Sequence, residues 1–79
     1  MAKTCYEFML KYKDKDTPRG DLIEDMMHEL RIHPEEEVDK IDSEEMFMHY
    51  LRNHYACREC IATAQRCWQS YRKYLEKAA

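Results

Sequence analysis

A chain of 79 residues and 9.7 kDa has room for a single domain spanning residues 1–79. Its one Gly and two Pro are too few for the turns of a many-stranded fold or for the composition of disorder. With 37% charged and 44% hydrophobic residues, it reads as a helical protein with an ionised surface and a net charge of -3.

Thr4 and Glu7 form a capping-box pair, so a first helix is expected from there to about Lys13, burying Cys5, Phe8, Met9 and Tyr12. The polar stretch 14–21, with Pro18 and Gly20, is a connection, and Thr17 or Asp21 caps a second helix. Leu22, Ile23, Met26, Met27 and Leu30 supply its apolar face, and Pro34 stops it at about Arg31. The acidic segment 35–40 is expected to be a solvated loop with at most one turn. Asp42 and Glu45 make a second capping box, with Ile41 and Met46 as its hydrophobic staple, so a third helix starts at about Ser43 and buries Met46, Phe47, Tyr50 and Leu51. Cys57, Ile61, Ala64, Trp68, Tyr71 and Leu75 then step by four or three along one face of a long last helix capped by Asn53 or His54. Trp68 is its core anchor, and Cys60, Ala62, Ala64 and Cys67 are small enough for close helix packing.

No apolar run approaches the roughly 20 residues of a membrane helix, and the N-terminus lacks the apolar core of a secretory signal. A cytoplasmic protein with no membrane partner is expected, its four Cys being free thiols. Residues 1–19 carry five basic and three acidic side chains, residues 20–46 two and eleven, and residues 47–79 six and two. An acidic middle thus lies between basic ends. Either the two signs pair within the fold or they meet different partners.

The opening Cys5-Tyr6-Glu7-Phe8-Met9-Leu10-Lys11-Tyr12-Lys13, the middle Tyr50-Leu51 and the closing Cys67-Trp68-Gln69-Ser70-Tyr71 occur in the order and spacing of the YozE family, which the chain resembles over about residues 4–75. It differs in having Cys5 in place of the first aromatic, Cys67 in place of Ala, His33 before Pro34 where Phe is usual, and Ala64 four residues before the Trp where Phe is usual. The resemblance implies an all-α, sterile-alpha-motif-like bundle of four to five helices and no enzyme activity. It also implies a setting in bacteria with Gram-positive cell walls, their phages and mobile elements, at times near DNA-replication genes.

The residues offer little for catalysis or cofactors. Cys57 and Cys60 have the spacing of a zinc pair, but Cys67 lies about 10 Å further along the same helix, too far to join a shell with His54, Cys57 and Cys60. Completing the shell would need a frayed helix start or a ligand from elsewhere, such as His28, His33 or His49. No metal site and no cofactor is therefore assigned. A Cys nucleophile would need a His base and a dry pocket that a 79-residue bundle cannot spare, and one Gly cannot form a phosphate-cradling loop.

Binding is the expected role. Arg58, Arg66, Gln69, Arg72, Lys73 and Lys77, with Gln65, lie off the buried stripe of the last helix, where they are candidates for phosphate contacts. Lys11, Lys13, Lys15 and Arg19 extend the patch, and Tyr74 is placed to stack. A pI of about 5.8 limits such contact to weak or assisted binding. Glu35, Glu36, Glu37 and Glu44, with an exposed Met48, are the candidate surface for a protein partner. The expected function is an accessory subunit of a DNA-processing protein, in replication or primer synthesis. The alternative is a protein-only adaptor or self-associating module.

Overall fold

The computed structural model describes residues 2–54 and 58–78, all of its regular structure helical. Four α-helices, α1 (Cys5–Met9), α2 (Pro18–Ile32), α3 (Glu44–His54) and α4 (Arg58–Ala78), are joined by 3₁₀ turns at Leu10–Tyr12, Pro34–Glu36 and Val38–Lys40. Both arms of the expected capping box form: Glu7 N–H donates to Thr4 Oγ1 at 3.2 Å, and Thr4 N–H donates to the Glu7 carboxylate at 2.9 Å. The Glu7 carboxyl is held below the usual carboxylate range first by the hydrogen bond from the Thr4 backbone N–H and then by the Thr4 side chain. Helix α2 uses Thr17 rather than Asp21 as its cap, with Pro18 in the first helical position, where a missing N–H costs nothing.

Helix α4 packs against α1, α2 and α3. Phe47, Met9, Ile23 and Leu51 form the water-free centre, and Trp68 lies over it with its ring 5.9 Å from Phe47 and 5.2 Å from Tyr71. The short α1 is anchored by Phe8, whose ring sits 5.6 Å from Tyr71 and 5.2 Å from Tyr74. The two tyrosines also fix the backbone ahead of α1: Tyr71 Oη donates to Lys3 O at 2.8 Å, and Lys3 N–H donates to Tyr74 Oη at 2.9 Å.

Four local expectations change. The acidic segment is a pair of 3₁₀ turns hinged on Glu37 in the left-handed region (φ 52°), and its Val38 is buried against α1 and α2. Ser43, not Asp42, caps α3, its Oγ accepting from Met46 N–H at 3.2 Å. The buried arc of α3 runs from Tyr50 through Phe47 and Leu51 to Met48, leaving Met46 48% exposed. Met48, expected at the surface, and Met46, expected in the core, exchange places: Met48 lies on the side of α3 that shares a groove with Gln65 of α4, and Met46 on the opposite flank of the Phe47–Leu51 face. Asn53 and His54, expected as caps of α4, belong to the last turn of α3. Cys57 lies outside the described residues.

Candidate functional site

Helical geometry accounts for the most populated candidate surface. At about 100° per residue the apolar positions of α4 sweep one side of the helix, while Arg58, Gln65, Arg66, Gln69, Arg72, Lys73 and Lys77 fall within an arc of roughly 140° on the other. All of them are exposed. From Arg58 to Lys77 this face extends roughly 28 Å along the helix axis. Among the described residues none of its cations is ion-paired with a carboxylate.

The basic ends of the chain converge on the C-terminal half of this face. Arg19 donates to Tyr12 Oη at 3.1 Å and to Ser70 Oγ at 3.4 Å, which lashes the start of α2 to α4 and half-buries the guanidinium. Lys3, Lys11 and Lys13 line a groove with one carboxylate, Glu7, and with Tyr74, Phe8 and Leu10, and the Lys11 ammonium sits 4.1 Å from the centre of the Phe8 ring. Tyr74 is half-buried, one flank of its ring closed by Phe8 and Tyr71. Lys3 was not among the sequence candidates; it precedes the cap, and only the Tyr71–Tyr74 clasp brings it to this groove. The other end of the face differs. Arg66 borders a groove of about 400 Å³ between α2 and α4 that also carries Asp21, Asp25 and Glu59, so its surroundings are acidic.

The acidic candidates are more committed than the basic ones. Glu35 lies 3.2 Å from His33 Nδ1, Glu37 lies 3.9 Å from Lys40, and Glu36 lies 3.0 Å from His54 Nε2. Glu35 is held below the usual carboxylate range, chiefly by hydrogen bonding to its own backbone N–H and secondly by His33. Glu44 is exposed and borders a groove with Glu45, His49, Arg52 and Gln65 whose apolar contribution is the buried Met48. Among the described residues no Lys or Arg of the basic ends forms an ion pair with a carboxylate of the acidic middle, although Arg66 shares a groove with Asp21 and Asp25, and Arg52 one with Glu44 and Glu45.

Cys5 and Cys67 are buried free thiols. Burial, with the nearby Cys67 as a lesser cause, pushes the Cys5 thiol up to about 12, and burial raises Cys67 as well. Neither is a nucleophile at neutral pH. Among the described residues, cysteine enters no group of three potential metal ligands; the one such group is Glu29, Glu36 and His54, whose ligating atoms lie within 4.8 Å of one another. Also among the described residues, no helix is long and apolar enough to cross a membrane.

A helical bundle whose aromatic residues fill its own interior, with charged faces left outward, is the architecture of a sterile-alpha-motif-like domain. The chain belongs to the YozE SAM-like fold family, whose sequence model matches residues 4–73. Neither a curated protein nor a solved structure matches it.

Proposed function

We propose that this chain is a small non-enzymatic binding module, an accessory subunit that joins a DNA-processing protein of replication or primer synthesis and adds weak nucleic-acid contacts through α4. The observation that carries this reading is the cationic face of α4, where five Lys and Arg outnumber Glu59 and Glu76 and none of the described ones is ion-paired, together with the Lys3, Lys11 and Lys13 groove that Tyr74 of the same helix enters. Arg and Lys on one helix face meet phosphates, Gln65 and Gln69 offer hydrogen bonds, and the half-buried ring of Tyr74 is the group for a base to stack on.

Three or four simultaneous phosphate contacts imply a salt slope of about −3 to −4 in log affinity against log salt on duplex DNA. With a net charge of −3, the free chain belongs at the weak end, with dissociation constants of about 10⁻⁴ M or above at physiological salt. Fluorescence anisotropy on labelled single- and double-stranded oligonucleotides, from low salt upward, tests this. The triple variant Arg66→Glu, Arg72→Glu, Lys73→Glu is expected to abolish binding while keeping its helical circular dichroism. No binding by the wild-type chain, alone or with a captured partner protein present, defeats the nucleic-acid half.

A protein-only adaptor is the second reading, and the exposed Ile32 and Met46 favour it. They stand 51% and 48% exposed at the end of α2 and the start of α3, flanking the acidic turns. Such a surface suits a partner with basic and apolar groups. A chain that fails to bind DNA yet captures a partner through a surface sensitive to Met46→Lys is an adaptor.

A further inference from the structure

We propose that Glu29, Glu36 and His54 bind a divalent first-row transition-metal ion, with zinc as the best chemical fit. The three side chains come from the last turn of α2, the Pro34–Glu36 turn and the last turn of α3, and each offers one ligand atom within 4.8 Å of the other two. Bonds of about 2.0–2.2 Å in a tetrahedral shell place neighbouring ligand atoms about 3.3–3.6 Å apart. Glu36 and His54 already stand at 3.0 Å, so a small side-chain rotation of Glu29 closes the set.

The backbone holds this convergence in place. Glu29 O accepts from His33 N–H at 2.7 Å, ending α2 one turn after Glu29, and the Pro34–Glu36 turn that follows His33 brings the Glu36 carboxylate within 4.8 Å of Glu29. The His54 ring lies 4.6 Å from the Tyr50 ring, which limits its orientations. Two carboxylates meet one imidazole, and among the described residues neither Glu29 nor Glu36 is paired with a lysine or arginine. A single histidine offsets at most one of those negative charges, whereas a divalent ion offsets both. One imidazole nitrogen and two carboxylate oxygens form a borderline-hard donor set that leaves a fourth position for water. Bound there, the ion cross-links three elements of the chain on its acidic side.

The test uses the untagged, reduced full chain stripped of metal. Zn²⁺ titrated by calorimetry should bind one ion per chain and raise the thermal midpoint, and Co²⁺ should give weak d–d bands with no thiolate-to-metal charge-transfer band. Glu36→Gln, His54→Ala and the near-isosteric Glu29→Gln should each weaken Zn²⁺ binding at least about tenfold, whereas Cys57→Ser with Cys60→Ser should leave it unchanged. No stoichiometric binding at sub-millimolar Zn²⁺ overturns the proposal. So does a charge-transfer band at one equivalent of Co²⁺, or binding that survives the glutamate and histidine changes but is lost with the cysteines. The cobalt spectrum is read on the wild-type chain, so it decides the ligand class even if a variant fails to fold.

Discussion

Replacing Gly20 with Ala sets two principles of opposite sign against each other. Gly20 lies in the first turn of α2, and in a helix Ala is ordinarily favoured over Gly by about 1 kcal/mol. Yet a Cβ built on Gly20 would stand 2.8 Å from the Tyr12 carbonyl oxygen and overlap the Lys15 carbonyl outright. Both obstacles are backbone, and Lys15 N–H is itself bonded to Tyr12 O at 3.0 Å, so no side-chain rotation relieves the contact. The 13–17 connection must move by about 1 Å or more, loosening that bond and the Gly20 N–H to Thr17 Oγ1 cap at 3.1 Å. Overpacking of this kind costs about 1–3 kcal/mol and the disturbed cap about 1 kcal/mol more. After subtracting the propensity gain, Gly20→Ala should destabilise by about 1–3 kcal/mol. Against the roughly 4–12 kcal/mol available to a chain of this length, that is a large fraction. Urea unfolding should show the midpoint falling with an unchanged slope, and the thermal midpoint dropping by roughly 4–8 °C for each kcal/mol. Glu24→Ala, at an exposed site of the same helix, should stay within about 0.5 kcal/mol of wild type. A Gly20→Ala protein as stable as wild type, or more so, would refute the steric argument and leave helix propensity as the controlling term.

Two further outcomes are expected. Trp68→Ala should cost about 3–5 kcal/mol by urea unfolding, because it removes the ring that spans Phe47 and Tyr71, whereas Trp68→Phe should retain much of that stability. A Trp68→Ala midpoint close to wild type would place the core elsewhere. The buried thiols predict a loss of stability in base. The Cys5 thiol is raised from 9.0 to about 12, so above pH 9 the unfolded chain releases a proton that the folded chain keeps. Its contribution is therefore fully present below pH 9 and is lost as pH rises towards about 12, at up to about 1.4 kcal/mol per pH unit. Cys67 adds in the same direction. Cys5→Ala should make the decline in stability between pH 9 and pH 11 shallower, and an identical decline in both proteins would contradict the assignment.

What could be read in the sequence was what sequence neighbours decide. The Thr4–Glu7 box and the i,i+3/i+4 stripe of α4 depend on residues within one or two turns of each other, and both form, whereas Pro18–Asp21, expected in the connection, is the first turn of α2. The differences arise where a distant element chooses between local options of similar energy. Asp42 and Ser43 are comparable caps, and Met46 and Met48 flank the Phe47–Leu51 face on either side; α4, packed along one side of that face, decides which methionine is buried. Val38 stands in a run of charges that argues for solvent, and only α1 and α2 closing over it turn the segment into part of the core. The cluster of Glu29, Glu36 and His54 was least accessible of all. Its first two members are seven residues apart across a proline and its third is eighteen residues further on, a spacing that matches no metal-binding pattern.

The position of Tyr74 ties the fold to the proposed activity. Its hydroxyl is engaged by the Lys3 amide and one flank of its ring by Phe8 and Tyr71, so it is held rather than free to reorient. A held ring loses little entropy when a base or a partner side chain stacks on it, and Lys3, Lys11 and Lys13 around the same groove, set against the single carboxylate of Glu7, supply the net charge that draws a phosphate chain there. Arg66 borders three carboxylates instead, which oppose the approach of phosphate. Nucleic-acid contact should therefore be stronger at the C-terminal half of α4 than at its start. In the anisotropy assay, Lys73→Glu with Lys77→Glu should weaken binding more than Arg58→Glu with Arg66→Glu, although both pairs change the net charge equally. Equal losses from the two pairs would mean that net charge alone governs the interaction and that the tyrosine groove has no part in it.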